Sequence, residues 1–221
     1  MDAIIVLNWN TTDLLIGMFE SATKNASKLF KTIIVDNGST EQEFIKLKKY
    51  FEDKNSKHIE KTATTNYVED IYEFKTKEYD VTLKKMSKNT GFAAGNNTGI
   101  SLLKISYDFV YFINSDIVVN EKDWDLKFRG VFEKYNAKVV GCAYHPLIWT
   151  RQGRFEIQPL SEIPVESESV QGAFFSIPFE ILKDFIKKEG YVFDENFKFA
   201  HYEETDLCFR IMKMGKCYWL P

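Results

Sequence analysis

Carboxylates and amides recur in this chain at the ends of apolar runs, where they could bind a cation or move a proton. The clearest case is Asn114-Ser115-Asp116, which interrupts the run from Asp108 to Val119 before Ile117-Val118-Val119 resumes it. The first half of that run is aromatic and β-branched and reads as a strand buried on both faces. A carboxylate just past such a strand stands in the crevice where open α/β sheets place their ligands. There Asp116 can ligate a hard divalent cation, with Asn114 as a neutral oxygen ligand, directly or through water. Taken alone, the tripeptide would serve equally well as a polar turn closing a strand. Three further clusters share the setting: Asn8-Trp9-Asn10, Asp36-Asn37-Gly38-Ser39 and Glu203-Glu204-Thr205-Asp206. Several acidic groups converging on one crevice are costly unless a cation or a reaction employs them.

The elements that position these groups follow from hydrophobic patterning. Residues 3–7 are continuously apolar and read as a central parallel strand, followed by a helix from Leu14 to about Asn25 capped by Thr12 or Asp13. A second strand covers 31–35 and a second helix runs from about Glu41 to Phe51. This alternation predicts a parallel sheet with right-handed crossovers. Residues 53–86 read as a hairpin or insertion, with Tyr79 to Met86 as an edge strand. From Asn89 to Ile100, Gly91, Gly95 and Gly99 alternate with Asn89, Asn96 and Asn97. Such a stretch suits a tight loop that passes close to a ligand and opens a helix to about Ile105, or an ordinary helix start. Its spacing matches neither the dinucleotide nor the P-loop pattern. Further on, the pattern predicts a helix over 121–135, a strand over 137–143, and a loop-rich 144–168 lying over a cleft. A strand over 170–178 and helices over 179–188 and 207–214 follow. With no internal repeat or flexible linker, residues 1–221 read as one domain.

Composition excludes several functions. Hydrophobic residues at 44% and aromatics at 15% describe a globular chain with a sizeable core. A net charge of -3 carries no nucleic-acid footprint. Cys142, Cys208 and Cys217 have no metal-ligand spacing and are odd in number, which points to inert thiols in a reducing, cytoplasmic setting. No apolar run approaches the length of a membrane span, and the amino terminus does not read as a signal peptide, so any membrane contact is expected to be peripheral.

The ordered motifs themselves carry a resemblance. Ile5-Val6-Leu7-Asn8-Trp9-Asn10, Val35-Asp36-Asn37-Gly38-Ser39, Asn89 to Gly99, Asn114-Ser115-Asp116, and Phe193-Asp194-Glu195 through Glu203-Glu204-Thr205-Asp206-Leu207-Cys208-Phe209-Arg210 resemble those of family 2 glycosyltransferases. The similarity spans nearly the whole chain and is greatest to the rhamnosyltransferase-like branch. It implies a GT-A fold: a single Rossmann-like, mixed but mostly parallel sheet flanked by helices. It also implies an inverting transfer, a dTDP- or UDP-linked sugar donor, a divalent metal (manganese or magnesium) and a glycan or lipid-linked acceptor. Chains of this family usually continue past the equivalent of Pro221, so residues 1–221 are expected to form the catalytic domain of a longer enzyme.

The resemblance also implies residue roles. Trp9 stacks on the base near the Leu7 backbone, with Asn8, Asp36, Asn37, Gly91, Asn96, Asn97 and Ser115 completing the nucleotide-sugar site. Trp9 serves equally well as plain core packing. Asn37 holds a position often occupied by aspartate, and its amide can donate to and accept from the base edge. Asp116 matches the metal-binding aspartate, and Asn114 stands where the family has another aspartate, as the rhamnosyltransferase-like branch often does. Glu204 matches the general base, one methylene longer than the usual aspartate; Glu203 and Asp206 compete for the role. Thr205 or Asp206 also suits the cap of the helix over 207–214, and Asp206 a pair with Arg210. Gly172 matches the glycine of the acceptor-side wall, and His201 stands beside the proposed base. Two other functions fit parts of the pattern: a sugar nucleotidyltransferase, and a non-catalytic module that binds sugar nucleotides within a larger assembly.

Overall fold

The computed structural model describes residues 1–54, 59–61, 70–104, 106–142, 147–149, 155–157, 163–197 and 201–220. The chain opens with β1 (Ala3–Asn8), α1 (Thr12–Asn25), β2 (Lys31–Asp36) and α2 (Glu41–Asp53). Next come β3 (Ile59–Lys61), β4 (Ile71–Lys75), β5 (Asp80–Lys85), α3 (Gly91–Ser101), β6 (Phe109–Ile113), α4 (Trp124–Tyr135) and β7 (Val139–Cys142). The remaining elements are β8 (Leu147–Trp149), β9 (Phe155–Ile157), β10 (Val165–Ser167), β11 (Phe174–Pro178), α5 (Phe179–Glu189), α6 (Glu203–Ile211) and β12 (Cys217–Leu220).

Among the described residues, one sheet has the order β10-β12-β7-β11-β6-β1-β2-β5-β4-β3, and β8 pairs with β9 apart from it. β1 lies parallel to β2 on one side and to β6 on the other. β4, β10 and β11 run against all the other strands of this sheet. The sheet is therefore mixed and mostly parallel, with helices on both faces.

β1 and β2 are apolar throughout because a central parallel strand has no wet face. Their alternate side chains serve two cores. Ile4, Val6, Ile34 and Tyr111 meet α1, α2 and α4 through Leu15, Phe44 and Phe128. Ile5, Ile33, Val35 and Phe112 meet α3, α5 and α6 through Ile100, Leu182 and Leu207. The chain moves outward from β1 to β2 and β5, then returns to place β6 on the other side of β1. That reversal opens a crevice at the carboxyl ends of β1 and β6, the place where doubly wound sheets bind ligands.

Several elements differ from the sequence expectation. β5 is an inner strand, parallel to β2 and antiparallel to β4, rather than an edge. Lys84 and Lys85 suggest an edge, but Val81 and Leu83 are fully buried against the α1/α2 core. The glycine-rich stretch is itself the helix: α3 begins at Gly91 and ends at Ser101. A Cβ at Gly95 would stand 2.9 Å from Leu7 Cδ1, and one at Gly99 would stand 2.6 Å from Ile5 Cγ2. These glycines let a helix lie close on the sheet. α1 starts at Thr12, two residues early; neither Thr12 nor Asp13 is its N-cap, and the Thr12 amide donates to Glu43 Oε2 at 3.3 Å. Ile117-Val118-Val119 does not resume the strand, and β12, which pairs in parallel with β7, was not anticipated. Of the loop-rich 144–168, only β8, β9 and residues 163–168 fall within the described residues, as do only parts of 53–86. No helix among the described residues is long and apolar enough to cross a membrane.

Two helical glycines should respond oppositely to alanine. Gly99→Ala forces a methyl into Ile5 and is expected to destabilise by about 1–3 kcal/mol. Nothing lies within 4 Å of a Cβ at exposed Gly130 in α4, so Gly130→Ala should stabilise by roughly 0.5–1 kcal/mol. Thermal denaturation of the two variants checks the pair.

Candidate active site

A cleft of about 860 Å³ opens at the reversal point, between the β1–α1 turn, the start of α3 and the turn after β6. Leu7, Trp9, Asn37, Gly91 and Ser115, all expected at a nucleotide-sugar site, line it. Trp9 is 56% exposed, so it is not core packing. A large indole left in water at the rim of a cleft is available to stack on a planar ligand.

The walls are held by a polar network under the cleft. Asn8 is fully buried, and its Nδ2 donates to Asp36 Oδ2 at 2.8 Å and to Ser39 Oγ at 3.3 Å. Asp36 Oδ1 accepts from the Ser39 amide at 3.0 Å, closing the turn after β2. Asn10, in the left-handed region at φ 56°, accepts from the Thr40 amide at 2.8 Å, and its own amide donates to Ser39 Oγ. The turns after β1 and β2 are therefore stapled to each other. Asn37 is buried and all its polar groups are used: Nδ2 donates to Asn89 Oδ1 and Gly91 O, and Oδ1 accepts from the amide and hydroxyl of Thr90. Gly38, at φ 80°, lies so close to the same segment that a Cβ would stand 2.3 Å from the Lys88 carbonyl carbon. Only glycine fits there.

Asn8 and Asp36 thus support the cleft from below without lining it, and Asn114 and Asp116 do not line it either; two further expected residues, both on α3, also point elsewhere. Asn96 is buried and donates back to Phe92 O within α3 at 3.0 Å. Asn97 turns toward the segment before α6 and bonds to Val192, Phe193 and Glu195. Both amides sit on a helix, where 100° of rotation per residue aims neighbours differently.

The turn after β6 divides two cavities. Ser115 Oγ lies 3.0 Å from Thr11 Oγ1 and faces the large cleft. Asp116 is exposed and lines a second, more apolar pocket of about 320 Å³ with Val118, Trp124, Phe174 and Leu220. Asp116 forms no hydrogen bond or ion pair among the described residues. No group of three His, Cys, Asp or Glu side chains able to hold a metal occurs among them either. A free carboxylate with an amide two residues before it fits magnesium- or manganese-type binding, in which one or two carboxylates share the ion with substrate phosphates and water.

The acceptor-side residues come together at the start of α6. This helix begins at Glu203 rather than Leu207, so Thr205 and Asp206 lie inside its first turn and do not cap it. His201 and Tyr202 precede it with φ of 92° and 76°, a left-handed pair that non-glycine residues adopt at a cost of about 1–3 kcal/mol each. Glu203 is 1% exposed, and its Oε1 has no hydrogen-bond partner among the described residues. Glu204 is half-buried, with its carboxyl against the Gly172 turn; a Cβ at Gly172 would stand 3.2 Å from Glu204 Cδ. Burial, and then the neighbouring Glu203 charge, raise its proton affinity above that of an ordinary glutamate, while His201 and hydrogen bonding oppose the shift. Asp206 Oδ2 accepts from Arg210 Nε at 2.7 Å, and Arg210 continues to Glu189 and Val192 O. Asp206 is thus tied into a structural bracket. The Asn114 amide donates to Ala173 O at 2.8 Å, joining the turn after β6 to the Gly172 turn. Cys208 and Cys217 are buried and unoxidised.

The lining also includes residues given no site role from the sequence, among them Thr11, Lys88 and Glu195. Glu195 belongs to a stretch that carries the family resemblance, but only the fold shows that it faces the cleft.

Sheet and crevice together define the GT-A fold, which the comparison of structures supports. No family model matches the sequence, and no curated protein matches it. A mannosyltransferase, PcManGT from Pyrobaculum calidifontis in complex with GDP-Man and Mn2+, superimposes with a TM-score of 0.68 at 12% identity, over 100% of this chain and 54% of that one. S. aureus TarS 1–349 gives 0.61 at 16% identity, over 99% of this chain and 57% of that one. A longer S. aureus TarS structure gives 0.62, with 35% of that chain covered. The chain therefore spans about half of the first and second of these structures, and about a third of the last. At such identities the likeness is one of fold.

The raised proton affinity of Glu204 yields a prediction about stability. A raised folded-state pKa means the protonated form is favoured, so stability is full below the unfolded pKa and falls as pH rises through the folded one. Glu204→Gln should melt higher than wild type at about pH 7.5, with the gain vanishing below roughly pH 4, where both side chains are neutral. Melting temperatures across that range check the sign.

Proposed function

We propose that this chain is the catalytic domain of an inverting glycosyltransferase that moves a sugar from a nucleotide-diphosphate donor to a hydroxyl of a glycan or lipid-linked acceptor. The observation that carries this reading is Glu204, a half-buried carboxyl of raised proton affinity set against a turn that is bonded to Asn114-Ser115-Asp116. Inversion needs a base on the side opposite the leaving group, and a carboxyl poised nearer working pH is the stronger base.

In this reading Trp9 stacks on the base. Asn37, its amide committed to residues 89–91, shapes the base slot rather than reading the base edge. Thr11 and Ser115 border the diphosphate. Asp116 and Asn114 would hold a divalent ion, manganese or magnesium, which when bound offsets charge on the leaving nucleoside diphosphate. Glu204 takes the proton of the acceptor hydroxyl as its oxygen attacks the anomeric carbon, and the nucleoside diphosphate departs. Glu203, whose Oε1 has no partner among the described residues, and exposed His201 flank that base. Gly172 keeps the acceptor wall open, since a side chain there would push on the Glu204 carboxyl. The bound GDP-Man and Mn2+ of the mannosyltransferase support a nucleotide sugar and a divalent ion in this fold. The motif resemblance favours a dTDP- or UDP-linked donor and rhamnose as the sugar. The opposite facing of Ser115 and Asp116 favours a second reading, a module that binds nucleotide sugars without turnover.

Titration with dTDP, UDP and GDP, with and without manganese, tests the donor site. One diphosphate should bind in a metal-dependent way that Asp116→Ala abolishes; binding indifferent to both would sink the metal role. Glu204→Gln should lose turnover while keeping donor affinity, whereas a non-catalytic module shows binding but no turnover even in the wild type. The acid limb of kcat should lie above the usual glutamate range near about pH 4.3. Gly172→Ala, whose methyl would press on the Glu204 carboxyl from 3.2 Å and shift it by less than the order of 1 Å that costs ~10²-fold, should lower kcat by a smaller factor with donor binding intact.

A further inference from the structure

The large cleft holds a carboxylate that the scheme above leaves without a role. Glu195 lines the cleft from the segment between α5 and α6, as Trp9 and Ser115 do from the turns after β1 and β6. Its Oε1 accepts from Asn97 Nδ2 at 2.9 Å. Asn97 is fixed through both ends of its amide: Nδ2 also donates to Phe193 O at 2.8 Å, and Oδ1 accepts from the amides of Phe193 at 3.0 Å and Val192 at 3.3 Å. Phe193 is fully buried, packed edge-on against Phe92 of α3 and Phe112 of β6. The segment carrying Glu195 is therefore clamped to both α3 and the sheet. A long, exposed side chain normally samples many rotamers; this one is held at one oxygen by a partner that cannot itself turn.

Oε2 of Glu195 has no hydrogen bond or ion pair among the described residues, although Lys88 lines the same cleft. An ionised carboxylate only accepts hydrogen bonds. It would repel the phosphates of a nucleotide sugar and attract its hydroxyl groups. Resting on the donor reading of this cleft, we propose that Glu195, oriented by Asn97, reads hydroxyl groups of the donor, either those of the ribose or those of the sugar to be transferred. Glu195 is then a specificity-determining residue that the acceptor chemistry does not involve.

Titration of the full chain with dTDP, UDP and GDP, the 2′,3′-dideoxy counterparts of UDP and GDP, dTDP-rhamnose, UDP-glucose and GDP-mannose tests this, on wild type, Glu195→Ala and Glu195→Gln. If the ribose is read, Glu195→Ala weakens UDP or GDP by about tenfold or more and leaves the dideoxy diphosphate unchanged. If the sugar is read, the diphosphates are unchanged and only the sugar nucleotide weakens. Glu195→Gln can still accept from Asn97, so it should keep the wild-type melting temperature and show a smaller loss of the same pattern. Equal loss on every ligand, dideoxy forms included, would mean that Glu195 only holds the cleft wall, and no loss on any would remove it from the site; either overturns the proposal while leaving the donor cleft standing. Wild-type binding of none of these ligands overturns the donor cleft and this inference together.

Discussion

One backbone hydrogen bond, from the Asn114 amide to Ala173 O at 2.8 Å, joins the two halves of the site. It extends the antiparallel ladder in which Phe174 faces Ile113, so its geometry is set by the sheet rather than by the loops it connects. On one side of it, Ser115 meets Thr11 and so the turn after β1. On the other, Gly172 meets the Glu204 carboxyl. The relative placement of the proposed donor cleft and the proposed base is in this way referred to the central sheet, as a reaction sensitive to shifts of about 1 Å would demand.

Polar groups elsewhere in the site divide into those that hold and those that are free. Asn8, Asp36 and Asn37 are buried and bonded, and each bond closes a turn or ties one turn to the next. Leaving any of them unpaired would cost about 1–3 kcal/mol, so the network is stable only as a whole. Trp9, Asp116 and one oxygen each of Glu195 and Glu203 have no such engagement among the described residues. Stability is given up at Glu204, where burial opposes ionisation, and at His201 and Tyr202, where the backbone is left-handed. Strain and desolvation thus coincide at the start of α6, a combination that functional sites often carry.

Much of this was legible in the chain. Continuous apolar runs identified β1, β2 and β6, and the polar turns that end them identified the crevice, because a fully buried strand can place polar groups only past its ends. The motif order anticipated the GT-A fold. The length of α6 was misread because Glu203 and Glu204 lack the apolar periodicity of Leu207 to Ile211, although acidic residues suit the first turn of a helix. β12 is four residues long and stabilised by pairing with β7, a contact between positions far apart in sequence.

The sequence by itself determined the buried central strands β1, β2 and β6 and where their polar ends fall, since these follow from local periodicity and composition. Tertiary structure alone decided which way neighbouring polar side chains face. Asn97 turns to the Glu195 segment while Asn96 turns inward, Ser115 and Asp116 open onto different cavities, and the glycines of α3 serve close packing instead of a loop. The reason is physical: burial of an apolar residue is signalled by its own type, whereas the direction of a polar side chain is set by partners brought near it only when distant segments pack.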